Sequence, residues 1–183
     1  MSIQSIIDGV IALEGGFVDH HSDPGGATKF GITERVARAN GYRGAMRDLP
    51  RSTAFAIYHT RYVVGPNFDD VAAVDAKVAE ELIDTGVNAG PERAATWFQE
   101  ALNSLNERGK AYPAIGEDGD IGPATIRAFL AFTARRGKAA TLIMLRALDA
   151  KQGAHYLALA KEDSKFEDFL NGWLLHRLGN VAL

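Results

Sequence analysis

The chain has 183 residues, 46% of them hydrophobic and 23% charged, enough to bury one real core in one or two domains. It contains no cysteine, which excludes disulfides, thiol catalysis and cysteine metal sites. A net charge of −3 gives no electrostatic case for nucleic acid, and no apolar run is long enough to span a bilayer, so neither nucleic acid nor stable membrane insertion is expected. The charge is uneven: residues 1–105 carry a net −5 and residues 106–183 a net +2. The basic cluster Arg135, Arg136 and Lys138 reads as a solvated helix end. The start of the chain lacks the basic region and unbroken apolar stretch of a secretory signal, so synthesis in a cytoplasm is expected.

Ile3, Ile6, Ile7, Val10 and Ile11 recur at helical spacing and predict a helix from about Ser2 to Leu13, stopped by Gly15-Gly16. Phe17 to Thr33 holds Asp23-Pro24-Gly25-Gly26 and several β-formers, and reads as a short irregular β-hairpin or a long loop. Helices follow over Thr33–Asn40, Pro50–Tyr62 and Val74–Val87. Pro91 opens the next, whose buried stripe is Trp97, Phe98, Ala101, Leu102 and Leu105. A polar loop from Gly109 to Gly122 leads to helices over Pro123–Ala134, Lys138–Ala160 and Phe166–Leu178. The reading is mainly α, with about eight helices and one small β element.

Glu14 lies on the same helical face as Ile3, Ile7 and Val10, at the last turn of the first helix. Burial on an apolar stripe and the partial negative charge of a helix C-terminus both favour a protonated carboxyl. Such a group suits a general acid for glycoside cleavage; alternatively it is a helix-end Glu turned to solvent. The tight turn allowed by Gly25 and Gly26 would bring Asp23 and Thr28 across from it. Glycosidases need a second group to activate water or stabilise the sugar cation. Taken alone, Asp23 is a turn former and Thr28 an ordinary strand residue.

Glu14-Gly15-Gly16, Asp23-Pro24-Gly25-Gly26-Ala27-Thr28 and Gly31-Ile32-Thr33 resemble the signature of glycoside hydrolase family 108, a family of N-acetylmuramidases, many from phages and prophages. Ile57-Tyr58, Arg61-Tyr62 and Ile83–Gly90 resemble later family segments. Phe98-Gln99 with Asp118–Thr125, and Phe169, Gly172-Trp173 and Arg177, resemble its predicted peptidoglycan-binding half. The resemblance implies a lysozyme-like helical fold with a small β-hairpin near the N-terminal helix. It implies a catalytic lobe at 1–90 and a peptidoglycan-binding lobe at 91–183, packed as one compact body. The implied activity is hydrolysis of the β-1,4 bond between N-acetylmuramic acid and N-acetylglucosamine, with catalytic Glu14, Asp23 and Thr28. Val63 stands where the family often has Trp, so an aromatic sugar-stacking or core position is lost or moved.

The resemblance also implies an endolysin that is a monomer, uses no cofactor, and acts on bacterial peptidoglycan after release by a holin-like protein. A lytic transglycosylase on the same bond and a non-catalytic peptidoglycan-binding protein remain as rival readings. Tyr58 and Asn88 are candidate substrate contacts, though Tyr58 also suits the core and Asn88 a helix C-cap. Trp97 and Phe98 read as core. Asp118-Gly119-Asp120 fails as an EF-hand loop, with Pro123 and Phe129 where Gly and Glu are needed, and reads as a turn capping the Pro123 helix. Asp19, His20 and His21 do not have the spacing of a ligand set, so no metal is expected.

Overall fold

The computed structural model describes residues 3–18 and 27–181. Its architecture is mainly α and lysozyme-like, with a small antiparallel sheet beside the first helix. The described residues fall into two compact units, one ending at Gly65 and the other spanning Pro66 onward. Packing thus draws its line at 65/66, whereas the sequence reading divides the chain at 90/91.

In the first unit, α1 spans Ile3–Leu13. Its apolar stripe is the buried set Ile6, Ile7 and Ile11, as the periodicity requires. The stripe packs on α3, Arg51–His59, and Arg51 forms a 2.6 Å ion pair with Asp8 of α1. The β element is three two-residue strands rather than one hairpin: β1 Phe17–Val18, β2 Thr28–Lys29 and β3 Ile32–Thr33, in the order β1-β2-β3. Phe17 pairs with Lys29, and Thr28 pairs with both Val18 and Thr33. Asp23 and the expected Pro24-Gly25-Gly26 turn lie outside the described residues.

Thr33 caps α2, Glu34–Ala39, by accepting the Val36 N–H at 3.4 Å. The expected helix to Tyr62 stays α-helical only to His59. Thr60–Val64 widens into a π-helix closed by Gly65 N–H donating to Thr60 O at 2.8 Å. Val63 in that turn is 1% exposed, so the position occupied by an aromatic elsewhere in the family is a core position here.

The second unit contains a helix that the sequence reading missed, α4, Phe68–Val74. The single helix expected over 74–87 breaks at Asp75, because the Asp75 carboxylate accepts the N–H groups of Lys77 and Val78 and caps α5, Ala76–Ala89. From α5 the chain continues through α6, Pro91–Ser104, α7, Pro123–Arg136, α8, Ala140–Glu162, and α9, Glu167–His176. Helix α5 packs against α4, α6 and α8. Phe98 of α6 meets Phe129 of α7 edge-on at 5.0 Å, and both are fully buried. Trp97 departs from its expected core role, being only half-buried. Asp118 does not cap α7 either. It accepts from Gln99 Nε2 at 2.8 Å and from Asp120 N–H at 3.0 Å, tying the loop to α6.

Because α5 is enclosed, it carries three carboxylates into the interior, Glu80 at 8%, Glu81 at 1% and Asp84 at 5% exposure. The segment after α9 meets Asp84. Arg177 Nη1 and Asn180 Nδ2 each donate to Asp84 at 3.0 Å, and Gly179 N–H donates to Asp149 of α8 at 3.0 Å. A buried carboxylate needs such partners, and removing one is costly. Burial raises Asp84 even so, against the pull of Arg177. Glu81 lacks a cation of this kind. Burial first, then Asp149 and Asp84, pushes it up to about 8 from an ordinary 4.5. The folded chain therefore holds a proton that the unfolded chain releases. Its contribution to stability is present below 4.5 and lost as pH rises through about 8. The thermal stability of the wild type should fall between about pH 5 and about pH 9, and Glu81→Gln should flatten that fall. A variant with an unaltered pH profile would show that Glu81 titrates normally.

Candidate active site

The candidate site is built within the first unit. Helix α1 ends at Leu13, and Glu14 N–H still donates to Val10 O at 3.0 Å. Gly15 then takes φ +77, a left-handed stop that favours glycine. Glu14 stands just past the helix with an exposed side chain, so the burial on the apolar stripe expected from periodicity does not hold. The stripe ends with Ile11 because the chain has already turned away.

Beside the Glu14 carboxyl lies the turn between β2 and β3. Phe30 and Gly31 both have positive φ, +53 and +70. That pair is the two-residue connection whose twist suits an antiparallel hairpin, and Gly31 adopts it without strain. Phe30 is held there by its surroundings. Tyr58 of α3, 8% exposed, donates its hydroxyl to Phe30 O at 3.0 Å.

Gly31 has a second role. A Cβ at this position would lie 2.7 Å from Glu14 Oε2, 2.9 Å from Glu14 Cδ and 2.7 Å from the Tyr58 hydroxyl. The carboxyl of Glu14 and the phenol of Tyr58 thus converge on the bare face of one glycine. The Tyr58 hydroxyl is pushed up to about 12, by burial first and then by the charge of Glu14. It therefore stays a neutral donor throughout the physiological range.

Tyr62 stacks on Tyr58 at 5.8 Å, and the Arg61 guanidinium lies 5.2 Å from the Tyr62 ring. On the sheet side, Lys29 lies 5.1 Å from the Phe30 ring and donates to Arg47 O. Arg47 in turn lies 5.5 Å from the ring of Phe17. Among the described residues the site is thus the Glu14 carboxyl beside the Tyr58 phenol, with aromatic rings and cations on the neighbouring elements. Among the described residues no cluster of His, Asp and Glu could hold a metal ion.

Of the residues singled out in the sequence, Glu14 and Tyr58 come together. Thr28 lies on β2, two residues before the Phe30-Gly31 turn, with a partly exposed side chain. Asn88 lies inside α5 of the second unit, exposed, with its amide turned back onto its own helix at 2.7 Å from Asp84 O. The helix terminus there is Gly90 at φ +97, so Asn88 is not the C-cap. Gly31 and Phe30 were missed as site residues. The only sequence signal for the turn was the glycine itself, between two residues that suit strands.

Residues 7–90 match the family Glycosyl hydrolase 108, and residues 93–178 match the family Predicted Peptidoglycan domain. Among solved structures, that of Brucella abortus SagA is similar, with 26% sequence identity over 97% of this chain and 90% of that one and a TM-score of 0.55. No curated protein sequence matches the chain.

The geometry sets a test of the turn. Gly31→Ala adds both a strained φ and a methyl group where the Glu14 carboxyl now lies. The strain should cost about 1–3 kcal/mol of stability. Displacing the carboxyl should lower turnover of peptidoglycan roughly a hundredfold, as misplacement of a reacting group by about an ångström does. Rates matched to the wild type in a folded Gly31→Ala protein would show that the carboxyl needs no such seat.

Proposed function

Because the chain belongs to the glycosyl hydrolase 108 family and carries a predicted peptidoglycan domain, we propose that it is an N-acetylmuramidase with Glu14 as its general acid. At the coarser level it is a glycoside hydrolase whose substrate partner is peptidoglycan. The observation that carries the finer reading is the Glu14 carboxyl, exposed at the end of α1, lying against Gly31 and beside the Tyr58 phenol. An acid that serves a polymer must be reachable from solvent and must also be held still.

In this mechanism Glu14 donates its proton to the oxygen between N-acetylmuramic acid and N-acetylglucosamine as the glycosidic bond breaks. Asp23 takes the second carboxylate role, positioning water or stabilising the sugar cation, and Thr28 assists it. Tyr58 fixes the turn beneath the acid rather than reading the sugar. Residues 1–90 cut the glycan, and residues 91–183 hold it. No helix among the described residues is long and apolar enough to cross a membrane. The same reading makes the protein a monomeric endolysin that reaches the wall through a holin-like partner.

The product ends decide the chemistry. Purified peptidoglycan digested by the wild-type chain should yield fragments with reducing N-acetylmuramic ends in mass spectrometry. Anhydro ends, lighter by one water, would make it a lytic transglycosylase. Binding without any cleavage would leave a peptidoglycan-binding protein.

A further inference from the structure

Trp97 leaves the core that helical periodicity assigns to it, and sequence rules tend to fail in this way at functional positions. Its neighbour Phe98 is fully buried, whereas the indole of Trp97 lines a cleft of about 630 Å³ together with Gly90, Pro91, Glu92, Arg93 and Thr96. That volume is within the usual range for small-molecule sites. The cleft is lined by polar and apolar groups in mixture, on residues that lie within the second unit.

The side chains of the cleft wall contact one another and α8. Arg93 Nη1 lies 3.1 Å from His155 Nε2 of α8 and 3.4 Å from Ala89 O. A guanidinium can only donate, so His155 Nε2 must accept and the imidazole is neutral. Burial and the Arg93 charge both lower the His155 pKa, in agreement with that state. The same imidazole packs against Trp97 at 5.4 Å with the rings inclined by 64°. Arg93, His155 and Trp97 thus form one braced row. On the other side Thr96 Oγ1 donates to Glu92 O at 2.9 Å, and Gly119 approaches so closely that a Cβ there would meet Glu92 Cγ at 2.8 Å.

Among the described residues no carboxylate forms an ion pair with Arg93. A braced cation with no ion-pair partner among the described residues, one turn from a half-buried indole and beside a carboxylate able to accept from hydroxyls, has the chemistry to take a sugar that carries an acid. The geometry points to this cleft as a second glycan site, distinct from the Glu14 site, that binds a carboxylate-bearing amino sugar of peptidoglycan through Arg93 and Trp97. The inference rests on the reading that the chain acts on peptidoglycan. The acid has two possible sources, the lactyl carboxyl of a muramic unit without its peptide and the first carboxylates of an attached peptide.

The chain has two tryptophans, Trp97 and Trp173, so a full-length Glu14→Gln, Trp173→Phe protein reports on Trp97 alone. Three probes should be titrated against its fluorescence and, in parallel, by calorimetry. They are neutral chitotetraose, the N-acetylglucosaminyl-N-acetylmuramic acid disaccharide with its lactyl carboxyl free, and the same disaccharide bearing its peptide. At least one acidic probe should change Trp97 emission and bind about tenfold more tightly than chitotetraose, and whichever binds more tightly identifies the source of the acid. Arg93→Gln should remove that preference while the protein stays folded. Calorimetric binding with unchanged Trp97 emission, or an acid preference that survives Arg93→Gln, would overturn the proposal. If the wild type fails to cleave peptidoglycan while Trp97 still responds in this way, the function reading falls and this site stands.

Discussion

The turn against which Glu14 lies depends on a left-handed backbone pair that only one of its two residues favours. Gly31 takes its positive φ freely, but Phe30 must be held in its own. The Tyr58 hydroxyl supplies that restraint through Phe30 O, and the strand pairs on either side of the turn fix its register. The resulting turn presents a glycine face, and the Glu14 carboxyl lies against it. Helix α1 contributes the other half of the arrangement. Its buried stripe anchors it on α3, the helix that carries Tyr58, so acid and restraining phenol are positioned by one helix pair.

The second unit follows a different constraint. Helix α5 is buried on most of its surface and still carries Glu81 and Asp84. Asp84 is tolerable because the chain returns after α9 to supply Arg177 and Asn180, with the Gly179 amide donating to Asp149 of α8, whereas Glu81 is accommodated by being held towards its neutral form. Arg177 and Asn180, partly buried, therefore help to hold that unit together. Arg177 resembles a family position in the sequence, and its partner Asp84 gives that position a structural role.

Much of the fold was legible because it follows from periodicity and capping. The stripe of Ile6, Ile7 and Ile11 and the Pro91 and Pro123 helix starts appear in the structure where local chemistry places them. What was not legible depends on tertiary partners. Asp75 looks like any acidic residue until its cap divides α4 from α5. The π-turn at Thr60–Val64 has no composition of its own. Glu14 was found by its position on the helical stripe, yet the structure leaves it exposed, lying against a turn seventeen residues further along the chain. Trp97 was assigned to the core by spacing alone, and spacing does not register that His155 and Arg93 brace it at a cleft wall.

The central claim is that one carboxyl, seated against Gly31, supplies the proton for glycoside cleavage. The rate of peptidoglycan hydrolysis by Glu14→Gln, measured beside its thermal unfolding, tests this most directly. Gln keeps the shape of the side chain and cannot serve as the acid, so the account predicts a folded protein whose rate falls at least about a hundredfold. A folded Glu14→Gln protein that cleaves at the wild-type rate would contradict it.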